Sequence, residues 1–422
     1  MPKSLLEKVY SSPNLKKAWK QLNKSNRSSQ GLSSMTIENF GRTFDSHRRR
    51  LSKELREGSF KFSKVKAIVL KQKKPFGEIK RRPIRVSEIQ DRVVQRAIVN
   101  IIEPILRKKY QLRNIASFAY LEERDIRKAL IRMVTLYKKG NPIVLEADIK
   151  NYFGTVNKEK LLNEMIFPAL PDTSLNELIE QALNQEIGNL HQIEQDDWEL
   201  FSDTGIPQGG GLSPLFANVY LNDFDKEMLA AGYGLVRYAD DFIVVCRNEE
   251  EAVRAYEMSI NILEKRLGLK LHMLSSDGKG KTRIVRFTQV NFEFLGIRFN
   301  GKNLYPGEKT LKNLETRIRE ITEFGNDKSL LNVLSKLKLT VEGWIAAHCY
   351  TKVEEYLPTI ENELSLRLCG CAHRMGWIKN DGILSQRQRK FTGLPCLVNY
   401  LNDRRKNFTV EELAVFQDNF VV

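Results

Sequence analysis

Residues 235–246 read LVRYADDFIVVC, so two adjacent aspartates, Asp240 and Asp241, stand between two apolar runs. Short apolar runs on both sides of a polar pair are typical of two buried strands joined by a tight turn. Aspartate is uncommon in strands, and neighbouring carboxylates repel each other unless a cation neutralises them. We therefore predict that Asp240 and Asp241 bind a divalent cation at the tip of a hairpin. The alternative is an ordinary aspartate-rich turn.

A third carboxylate lies at the end of another buried-type strand, earlier in the chain. Residues 143–149 read IVLEADI, and this run contains Asp148. If this strand lies beside the hairpin, the three carboxylates supply the oxygen ligands that Mg²⁺ prefers. Two such ions, about 3.5–4 Å apart, stabilise both the attacking and the leaving oxygen of a phosphoryl transfer. The sequence thus predicts a two-metal site of the kind that polymerases use.

The positive charge is concentrated in one segment. The chain has 422 residues and a formal net charge of +16, and between Arg48 and Lys109 there are 20 Lys and Arg against 6 Asp and Glu, a net charge of +14. A local field of this size attracts polyanions. The alternative is a solvated charged face, but acidic partners are scarce and the basic residues alternate with apolar ones. Nucleic acid is the predicted partner, with an anionic membrane as the second choice.

The composition excludes several classes of protein. Hydrophobic residues make up 41% of the chain, which is enough for a packed core. No run approaches the roughly 18 apolar residues that a membrane span needs, and the first residues lack the apolar stretch of a secretory signal. Five cysteines in a chain of this length are not a disulfide framework. We expect a soluble, cytoplasmic protein that does not use a membrane.

The periodicity of apolar residues predicts the following elements. Helices are expected over most of 1–60, over 87–110, from Ser213 to Gly232, from Asn248 to Gly268 and from Glu308 onward. Strands are expected over 62–85, with a turn at 75–77, and over 143–149, 235–246 and 284–305.

The sequence resembles the reverse transcriptases of the bacterial group II intron lineage, because six motifs occur in the order of that family. They are RRPIRVSEIQDRVVQRAI (81–98), LEADIKNYFGTV (145–156), GIPQGGGLSPLFANVYLNDFD (205–225), VRYADDFIVVC (236–246), LGLKL followed by GKGKTRIV (267–285), and FEFLGIRF (292–299). The match covers most of the chain. After the thumb-like stretch LTVEGWIAAHCYTKVEEYL (339–357) only about 65 residues remain, which is short for the usual maturase, DNA-binding and endonuclease parts. The chain therefore resembles the stand-alone "unknown group" enzymes, many of which act in antiphage defence.

The resemblance implies roles for individual residues. Asp148, Asp240 and Asp241 match the catalytic, metal-binding carboxylates, and the backbone carbonyl of Ile149 lies beside the ions in the family. Phe153 matches the aromatic ring that excludes a ribose 2′-OH; its ordinary alternative is a core aromatic. The implied cofactors are two Mg²⁺ ions, with Mn²⁺ as a substitute, and the implied substrates are dNTPs.

The remaining implied residues contact the nucleotide. Gln208 matches the side chain that touches the nascent base pair, and Arg82 matches an arginine on the nucleotide phosphates. Lys71 is a second phosphate ligand, for which Lys73, Lys74 and Lys80 are alternatives. Lys281 matches the lysine that protonates or neutralises the leaving pyrophosphate. The alternative for each lysine is a contact to the backbone of the template or primer.

The implied fold class is α+β: a right-hand polymerase with fingers, a ferredoxin-like palm and a helical thumb. Fingers are expected over 1–140 with an insertion at 155–205, palm over 141–154 and 206–305, and thumb with a C-terminal tail over 306–422. The implied function is RNA-directed DNA synthesis on a structured noncoding RNA, which serves as template or scaffold, with an RNA–DNA duplex as product.

Two other readings stay open. One is template-independent or protein-primed DNA synthesis, which related abortive-infection enzymes perform. The other is a non-enzymatic RNA-binding maturase or scaffold, which predicts decay of the catalytic set. The sequence leaves the oligomeric state and the type of primer undecided.

Overall fold

The structure is a computed structural model that describes residues 3–22, 30–73, 79–201, 205–275, 280–289, 292–323 and 329–379, and residues 382–416 apart from 383, 385, 386, 389–391 and 395. Its contacts divide the chain into two compact units. The first comprises Met1–Asp125, Leu145–Val244 and Glu250–Ile284, and the second comprises Ile126–Val144, Val245–Glu249 and Val285–Val422.

The described residues form both helices and strands, and the elements after Pro306 are all helical. The α-helices are α1 (Leu5–Val9), α2 (Ser12–Gln21), α3 (Ile37–Arg42), α4 (Phe44–Arg56), α5 (Ile89–Tyr110), α6 (Ile126–Lys138), α7 (Tyr152–Thr155), α8 (Lys158–Lys160), α9 (Asn176–Leu183), α10 (Ser213–Tyr220), α11 (Asn222–Ala230), α12 (Glu249–Ile260), α13 (Glu308–Thr322), α14 (Leu330–His348), α15 (Leu357–Arg374), α16 (Leu397–Arg405) and α17 (Val410–Phe416). The strands are β1 (Lys66–Lys73), β2 (Ile79–Val86), β3 (Ile143–Asp148), β4 (Gly234–Tyr238), β5 (Asp241–Cys246), β6 (Arg283–Arg286), β7 (Glu293–Phe294), β8 (Ile297–Phe299) and β9 (Leu304–Pro306).

The strands form three sheets, and one of them has the topology of a ferredoxin-like fold. Its spatial order is β4-β5-β3-β6. Along the chain, helices α10 and α11 lie between β3 and β4, and helix α12 lies between β5 and β6. The sequence order β-α-β-β-α-β combined with this spatial order is the ferredoxin-like pattern, which confirms the expected α+β palm.

Two smaller sheets accompany it. Strands β1 and β2 form an antiparallel hairpin in which Lys66 is opposite Val86 and Lys73 is opposite Ile79. The predicted turn at 75–77 lies outside the described residues. Strands β7, β8 and β9 form a meander in the order β7-β8-β9.

The long helix α5 follows from the apolar periodicity of its sequence. It buries one continuous face, which includes Val93, Ala97, Ile98, Ile102 and Leu106. The helix ends at Gln111, which adopts a left-handed conformation with φ +53°. Helix α2 packs on this face, and Asn14 of α2 donates its side-chain amide to the carbonyl of Ala97 at 2.9 Å.

Two predicted helices differ in detail from the structure. The helix expected from Ser213 to Gly232 is broken at Leu221 into α10 and α11. The helix expected from Asn248 to Gly268 changes after Ile260 into a wider π-helical turn, Asn261–Arg266. In both cases helical residues occupy the predicted range. The apolar periodicity alone does not reveal where the helix breaks or changes its winding.

The second unit has its own aromatic core. Tyr137 of α6 packs edge-on against Phe287 and Phe299, with ring centroids 5.3 and 5.2 Å apart, and Phe287 also packs on Phe292. Near the C-terminal end of this unit, Arg405 donates to the carbonyls of Cys349 and Thr351 and pairs with Glu354. No helix in the described part of the chain is both long and apolar enough to cross a bilayer.

Candidate active site

The two adjacent aspartates lie at the tip of the β4–β5 hairpin, as predicted. Strand β4 ends at Tyr238 and β5 begins at Asp241, so the loop consists of Ala239 and Asp240. Ala239 has φ +58°, the left-handed conformation that two-residue hairpin loops require at their first position. An L-residue other than glycine adopts it at a cost, so the surrounding structure has to hold this turn.

A buried arginine holds the turn. Arg237 is 1% exposed and donates from Nη1 to the carbonyl of Ala239 at 3.0 Å. Its Nε and Nη2 form a two-pronged ion pair with both carboxylate oxygens of Asp225 on α11, each at 2.6 Å. Nη1 and Nη2 also donate to Asn218 Oδ1 and Ser117 Oγ. The guanidinium is thus fully hydrogen-bonded, which a buried charge requires.

The third carboxylate, Asp148, ends strand β3, which is the neighbour of β5 in the sheet. The end of β3 is fixed by the segment before β6. The backbone N–H of His272 donates to the carbonyl of Asp148 at 3.2 Å, and that of Lys150 donates to the carbonyl of Lys270 at 2.7 Å. Ile149 is buried between these two bonds and forms a bridge with Leu271.

The predicted lysine reaches this carboxylate. Lys281 Nζ lies 2.7 Å from Asp148 Oδ2 and 3.0 Å from His272 Nε2. His272 Nε2 is itself 3.6 Å from Asp148 Oδ2. Burial and the charge of Lys281 lower the pKa of the His272 imidazole.

The three aspartates interact electrostatically. Burial, followed by the charge of Asp148, raises the pKa of Asp240. Asp241 is exposed at the mouth of the site, but the protein atoms around it, and then the charges of Asp240 and Asp148, raise the pKa of its carboxyl to about 6. Carboxylates raise one another's pKa in this way when they share a site without enough positive charge.

These side chains suit divalent cations chemically. All three donors are carboxylates at the ends of neighbouring strands, and hard oxygen ligands are what Mg²⁺ prefers. Lys281 supplies a positive charge at Asp148 in this structure, as a cation would. In the described residues, no three His, Cys, Asp or Glu side chains already form a closed ligand group.

The β1–β2 hairpin presents two different basic faces. Lys71 and Arg81 are opposite each other, so they share one face. On this face Lys71 pairs with Glu194 at 2.6 Å and Arg81 pairs with the buried Asp197 at 2.8 Å. Arg82 comes one position after Arg81 and therefore lies on the other face.

Lys80 shares that other face with Arg82. The positive charge of Lys80 acts on both Asp148 and Asp240, and that of Arg82 acts on Asp240. Burial and the nearby charges of Arg82 and Lys281 lower the pKa of the Lys80 ammonium. The structure thus brings Arg82 and Lys80 towards the carboxylates, whereas Lys71 lies with Glu194.

The loop that carries Gln208 is bonded through its backbone to Phe153 and to the β1–β2 hairpin. The Ile206 N–H donates to the carbonyl of Phe153 at 2.8 Å, and a Cβ on Gly205 would come within 2.0 Å of the same oxygen. Only glycine allows this approach. The carbonyl of Gln208 accepts from the N–H of Arg85 in β2 at 2.8 Å. The loop that carries Gln208 is therefore joined both to α7 and to the basic hairpin.

A further contact fixes the glycine-rich loop. Gln95, which is 1% exposed on α5, accepts from the Gly211 N–H at 2.9 Å and donates to Gln185 at 2.8 Å. Gln185 in turn donates to the buried carboxyl of Asp91 at 3.1 Å. The glycine-rich loop is thus supported from a buried chain of polar side chains.

Sequence reasoning missed several of these residues. Gln95 and the Arg237–Asp225 pair were not selected, although a charged residue inside the apolar run of β4 was a usable signal. Lys80 remained one alternative among several, because choosing it requires the register of the hairpin.

Comparison with known proteins gives a consistent result. The family model described as reverse transcriptase (RNA-dependent DNA polymerase) matches residues 70–299, more than half of the chain. Protein YkfC of Escherichia coli (strain K12) is 27% identical, in a match that covers 54% of this chain and 66% of that protein. Group II intron-encoded protein LtrA of Lactococcus lactis subsp. cremoris is 26% identical over 182 residues, covering 43% of this chain and 28% of that protein.

Among solved structures, the telomerase of Candida albicans, in complex with a TWJ fragment of telomeric RNA, is similar with a TM-score of 0.39 and 12% identity, covering 92% of this chain and 72% of that one. The chain spans between 28% and 66% of the length of the two curated relatives named above.

The matched residues 70–299 contain the end of β1, strand β2, the β4–β5 hairpin, the four-stranded sheet and all three aspartates. The right-hand polymerase fold that the sequence predicted is the fold of this family. The chain is thus similar to a group II intron-encoded protein, and it belongs to the reverse transcriptase (RNA-dependent DNA polymerase) family.

Proposed function

We propose that this chain is an RNA-directed DNA polymerase that adds deoxynucleotides to a primer by two-metal nucleotidyl transfer. The observation that carries the proposal is the position of the three aspartates. Asp240 and Asp241 lie at the tip of one hairpin, and Asp148 ends the strand beside it. This placement supports binding of two cations by oxygen ligands from neighbouring strands.

In this proposal Asp148, Asp240 and Asp241, with the peptide oxygen of Ile149, hold two Mg²⁺ ions, for which Mn²⁺ can substitute. When bound, such ions stabilise the attacking and leaving oxygens of the transfer. Lys281 Nζ, which hydrogen-bonds to Asp148, then donates a proton to the departing pyrophosphate or neutralises it.

The other predicted residues select and hold the nucleotide. Arg82 and Lys80 bind the triphosphate, since their charges act on the carboxylates and arginine suits a two-pronged phosphate contact. Phe153 lies under the sugar and excludes a 2′-OH, and Gln208 contacts the new base pair. The role of Lys71 as a second phosphate ligand stays a prediction, because its ammonium pairs with Glu194 on the opposite face of the hairpin.

We assign the remaining parts of the chain accordingly. Residues 1–140 and 155–205 form the fingers, 141–154 and 206–305 the palm, and 306–422 the thumb with its C-terminal tail. The basic segment from Arg48 to Lys109 binds phosphates of the nucleic acid, which gives affinity without base readout. The proposed partners are an RNA template and an RNA–DNA duplex product.

A primer-extension assay tests the activity. Purified protein is incubated with an RNA template, an annealed primer, Mg²⁺ and either dNTPs or NTPs. We expect template-dependent extension with dNTPs, and a loss of at least 10³-fold in the double variant Asp240→Asn, Asp241→Asn, because two of the three ligands lose their charge. The control is Glu249→Gln, Glu250→Gln, an adjacent exposed acidic pair at the start of α12, which should extend normally.

Each other outcome supports a different function. Extension without a template, in wild type but not in the Asp variant, would favour untemplated synthesis. RNA binding with no synthesis in any variant would favour a scaffold or maturase.

We further propose that the template is a structured noncoding RNA and that synthesis takes place in the bacterial cytoplasm as part of antiphage defence. The support is the resemblance of the six motifs to enzymes of this lineage, some of which act in antiphage defence. Sequencing of the RNA and DNA that copurify with the protein tests the first part. Plating of phage on cells that carry the wild-type or the Asp240→Asn, Asp241→Asn protein tests the second, and equal plating on both would exclude the defence role.

A further inference from the structure

A second strained turn lies beside the catalytic hairpin. Tyr120 is 47% exposed, although it is a large aromatic residue, and its backbone has φ +60°. A tyrosine adopts this left-handed conformation only when its surroundings enforce it. Conformational outliers of this kind concentrate at functional sites.

The surroundings do enforce it. Arg237 of β4 accepts from the Phe118 N–H at 3.0 Å and donates its own N–H to the carbonyl of Ala116 at 2.8 Å, so Ser117 and Arg237 form a parallel bridge. Arg124, on the far side of the turn, donates to the carbonyls of Asn114 and Ser117, each at 2.5 Å, and its guanidinium lies over the ring of Phe118. The turn is therefore fixed at both ends.

The same two side chains hold both strained turns. Asn218 donates its amide to the carbonyl of Ala119 at 2.8 Å, and its Oδ1 accepts from Arg237 Nη1 at 3.2 Å. The same Nη1 donates to the carbonyl of Ala239. Tyr120 directly follows Ala119, and Asp240 directly follows Ala239. Ser117 and Arg237 are paired in the parallel bridge. Tyr120 lies three positions after Ser117, and Asp240 lies three positions after Arg237.

Electrostatics agree with this juxtaposition. Burial raises the pKa of the Tyr120 hydroxyl, and the charges of Asp240 and Asp241 raise it further. The ring is thus close to the catalytic carboxylates and is partly accessible to solvent.

Tyr120 and the two lysines, Lys80 and Lys281, approach the carboxylates from different strands. The bridge fixes the Tyr120 loop to β4, the edge strand, whereas Lys281 precedes β6 and pairs with Asp148 at the end of β3. Lys80 acts on Asp148 and Asp240. In an in-line phosphoryl transfer the attacking and leaving oxygens lie on opposite sides of the phosphorus. If these two lysines receive the pyrophosphate, the attacking hydroxyl approaches from the side of β4.

We propose that Tyr120 binds the 3′-terminal nucleotide of the primer and holds its hydroxyl at the carboxylates. An uncharged aromatic ring packs against a sugar or a base without selecting its sequence, as a primer-end contact requires. The rigid turn fixes the ring in advance, so little side-chain freedom is lost on binding. This inference rests on the proposed polymerase function and adds the residue that receives the primer.

The unusual backbone of Tyr120 permits a clean test. Tyr120→Gly removes the ring but suits φ +60°, so its melting temperature should equal or exceed that of wild type. Tyr120→Phe keeps the ring. The matched control is Glu123→Gly, an exposed residue of the same loop with φ +63°, where glycine relieves the same strain and removes no aromatic group.

Single-nucleotide extension is measured at varied concentrations of primer–template and, separately, of dNTP. We expect the KM for primer–template to rise at least tenfold in Tyr120→Gly, with the KM for dNTP within twofold of wild type. Tyr120→Phe and Glu123→Gly should behave as wild type. A normal KM for primer–template in Tyr120→Gly would overturn the contact, and so would an equal defect in Tyr120→Phe, since the ring would then not be the binding element. Absence of extension by wild type would instead overturn the polymerase function itself.

Discussion

Arg237 and Asp225 form an ion pair in which each side chain is 1% exposed, and Arg237 also donates to the turn that carries Asp240. A buried pair of this kind adds little stability relative to apolar residues, but loss of one partner leaves a buried charge uncompensated. The pair also carries the hydrogen bond to Ala239. Its value to the protein is therefore geometric: it fixes the turn that presents Asp240 and Asp241.

We expect Arg237→Met to lower the free energy of unfolding by about 3–5 kcal/mol, because Asp225 stays buried without its partner. Urea unfolding measures this change. Arg266→Met is the control: it removes an exposed pair with Glu227, and we expect a loss below about 1 kcal/mol.

The double variant Arg237→Met, Asp225→Leu separates stability from function. It should recover most of the lost stability, since no charge remains buried. Nucleotide addition should be slower than in wild type in both Arg237→Met and the double variant, because methionine cannot donate to the Ala239 carbonyl. Recovery of both stability and rate would show that the hydrogen bond to the turn has no role.

Asp91 is a second buried titratable group, and it makes stability depend on pH. It is fully buried on α5, accepts from the Ser63 N–H and from Gln185, and lies near Glu88 and Arg92. Burial raises the pKa of its carboxyl to about 7 from 3.8. Between these pH values the unfolded chain is ionised while the folded protein keeps the proton, so stability falls as pH rises.

We expect the advantage of wild type over Asp91→Asn to shrink from pH 4 to pH 7 and to remain constant above it. The full shift amounts to about 4 kcal/mol at 1.36 kcal/mol per pKa unit. Urea unfolding of both proteins at a series of pH values measures the difference. Parallel curves for the two proteins would mean that Asp91 ionises normally in the folded state.

Single residues were predictable from the sequence where the chemistry is local. Two adjacent aspartates between apolar runs indicate a cation site without any knowledge of the fold. The partners of these residues were not predictable in the same way. Arg237 reaches Asp225 and Ser117 only through the tertiary structure, so the sequence shows a charge in an apolar strand but not what neutralises it.

At the scale of elements, the β1–β2 hairpin separates two functions by face. The face with Lys71 and Arg81 is neutralised by Glu194 and Asp197, which suggests a structural role. The charges of the face with Lys80 and Arg82 act on the aspartates: Lys80 on Asp148 and Asp240, and Arg82 on Asp240. Alternation along a strand is predictable, but the assignment of faces requires the neighbouring segment at 194–197.

This division predicts different effects of two lysine substitutions. Lys80→Gln should raise the KM for dNTP roughly tenfold, because one positive charge near the triphosphate is lost. Lys71→Gln should change that KM less than twofold, since Lys71 pairs with Glu194 in an exposed ion pair. Steady-state extension with varied dNTP distinguishes the two. The reverse order of effects would support Lys71, as the family resemblance implies, as the phosphate ligand.

Elements were predictable where apolar periodicity is strong. Helix α5 and strands β3, β4 and β5 lie within a few residues of their predicted positions. The break at Leu221 and the π-helical turn after Ile260 were not, because a single extra or missing residue per turn hardly alters the apolar pattern.

At the scale of the whole molecule, six motifs in family order were enough to predict the fold, and the spatial order β4-β5-β3-β6 confirms the palm. The arrangement of the chain into two compact units was not predicted. Each unit is assembled from three separate segments. Which segments share a unit depends on long-range packing, which motif spacing does not encode.

This interleaving has a consequence for synthesis on the ribosome. Helix α6 leaves the ribosome long before the residues that cover its apolar face: Tyr137 packs on Phe287, which is 150 positions further along the chain. At roughly 5–20 residues per second, the nascent chain exposes that face for about 8–30 s. During this interval α6 is a natural binding site for a chaperone.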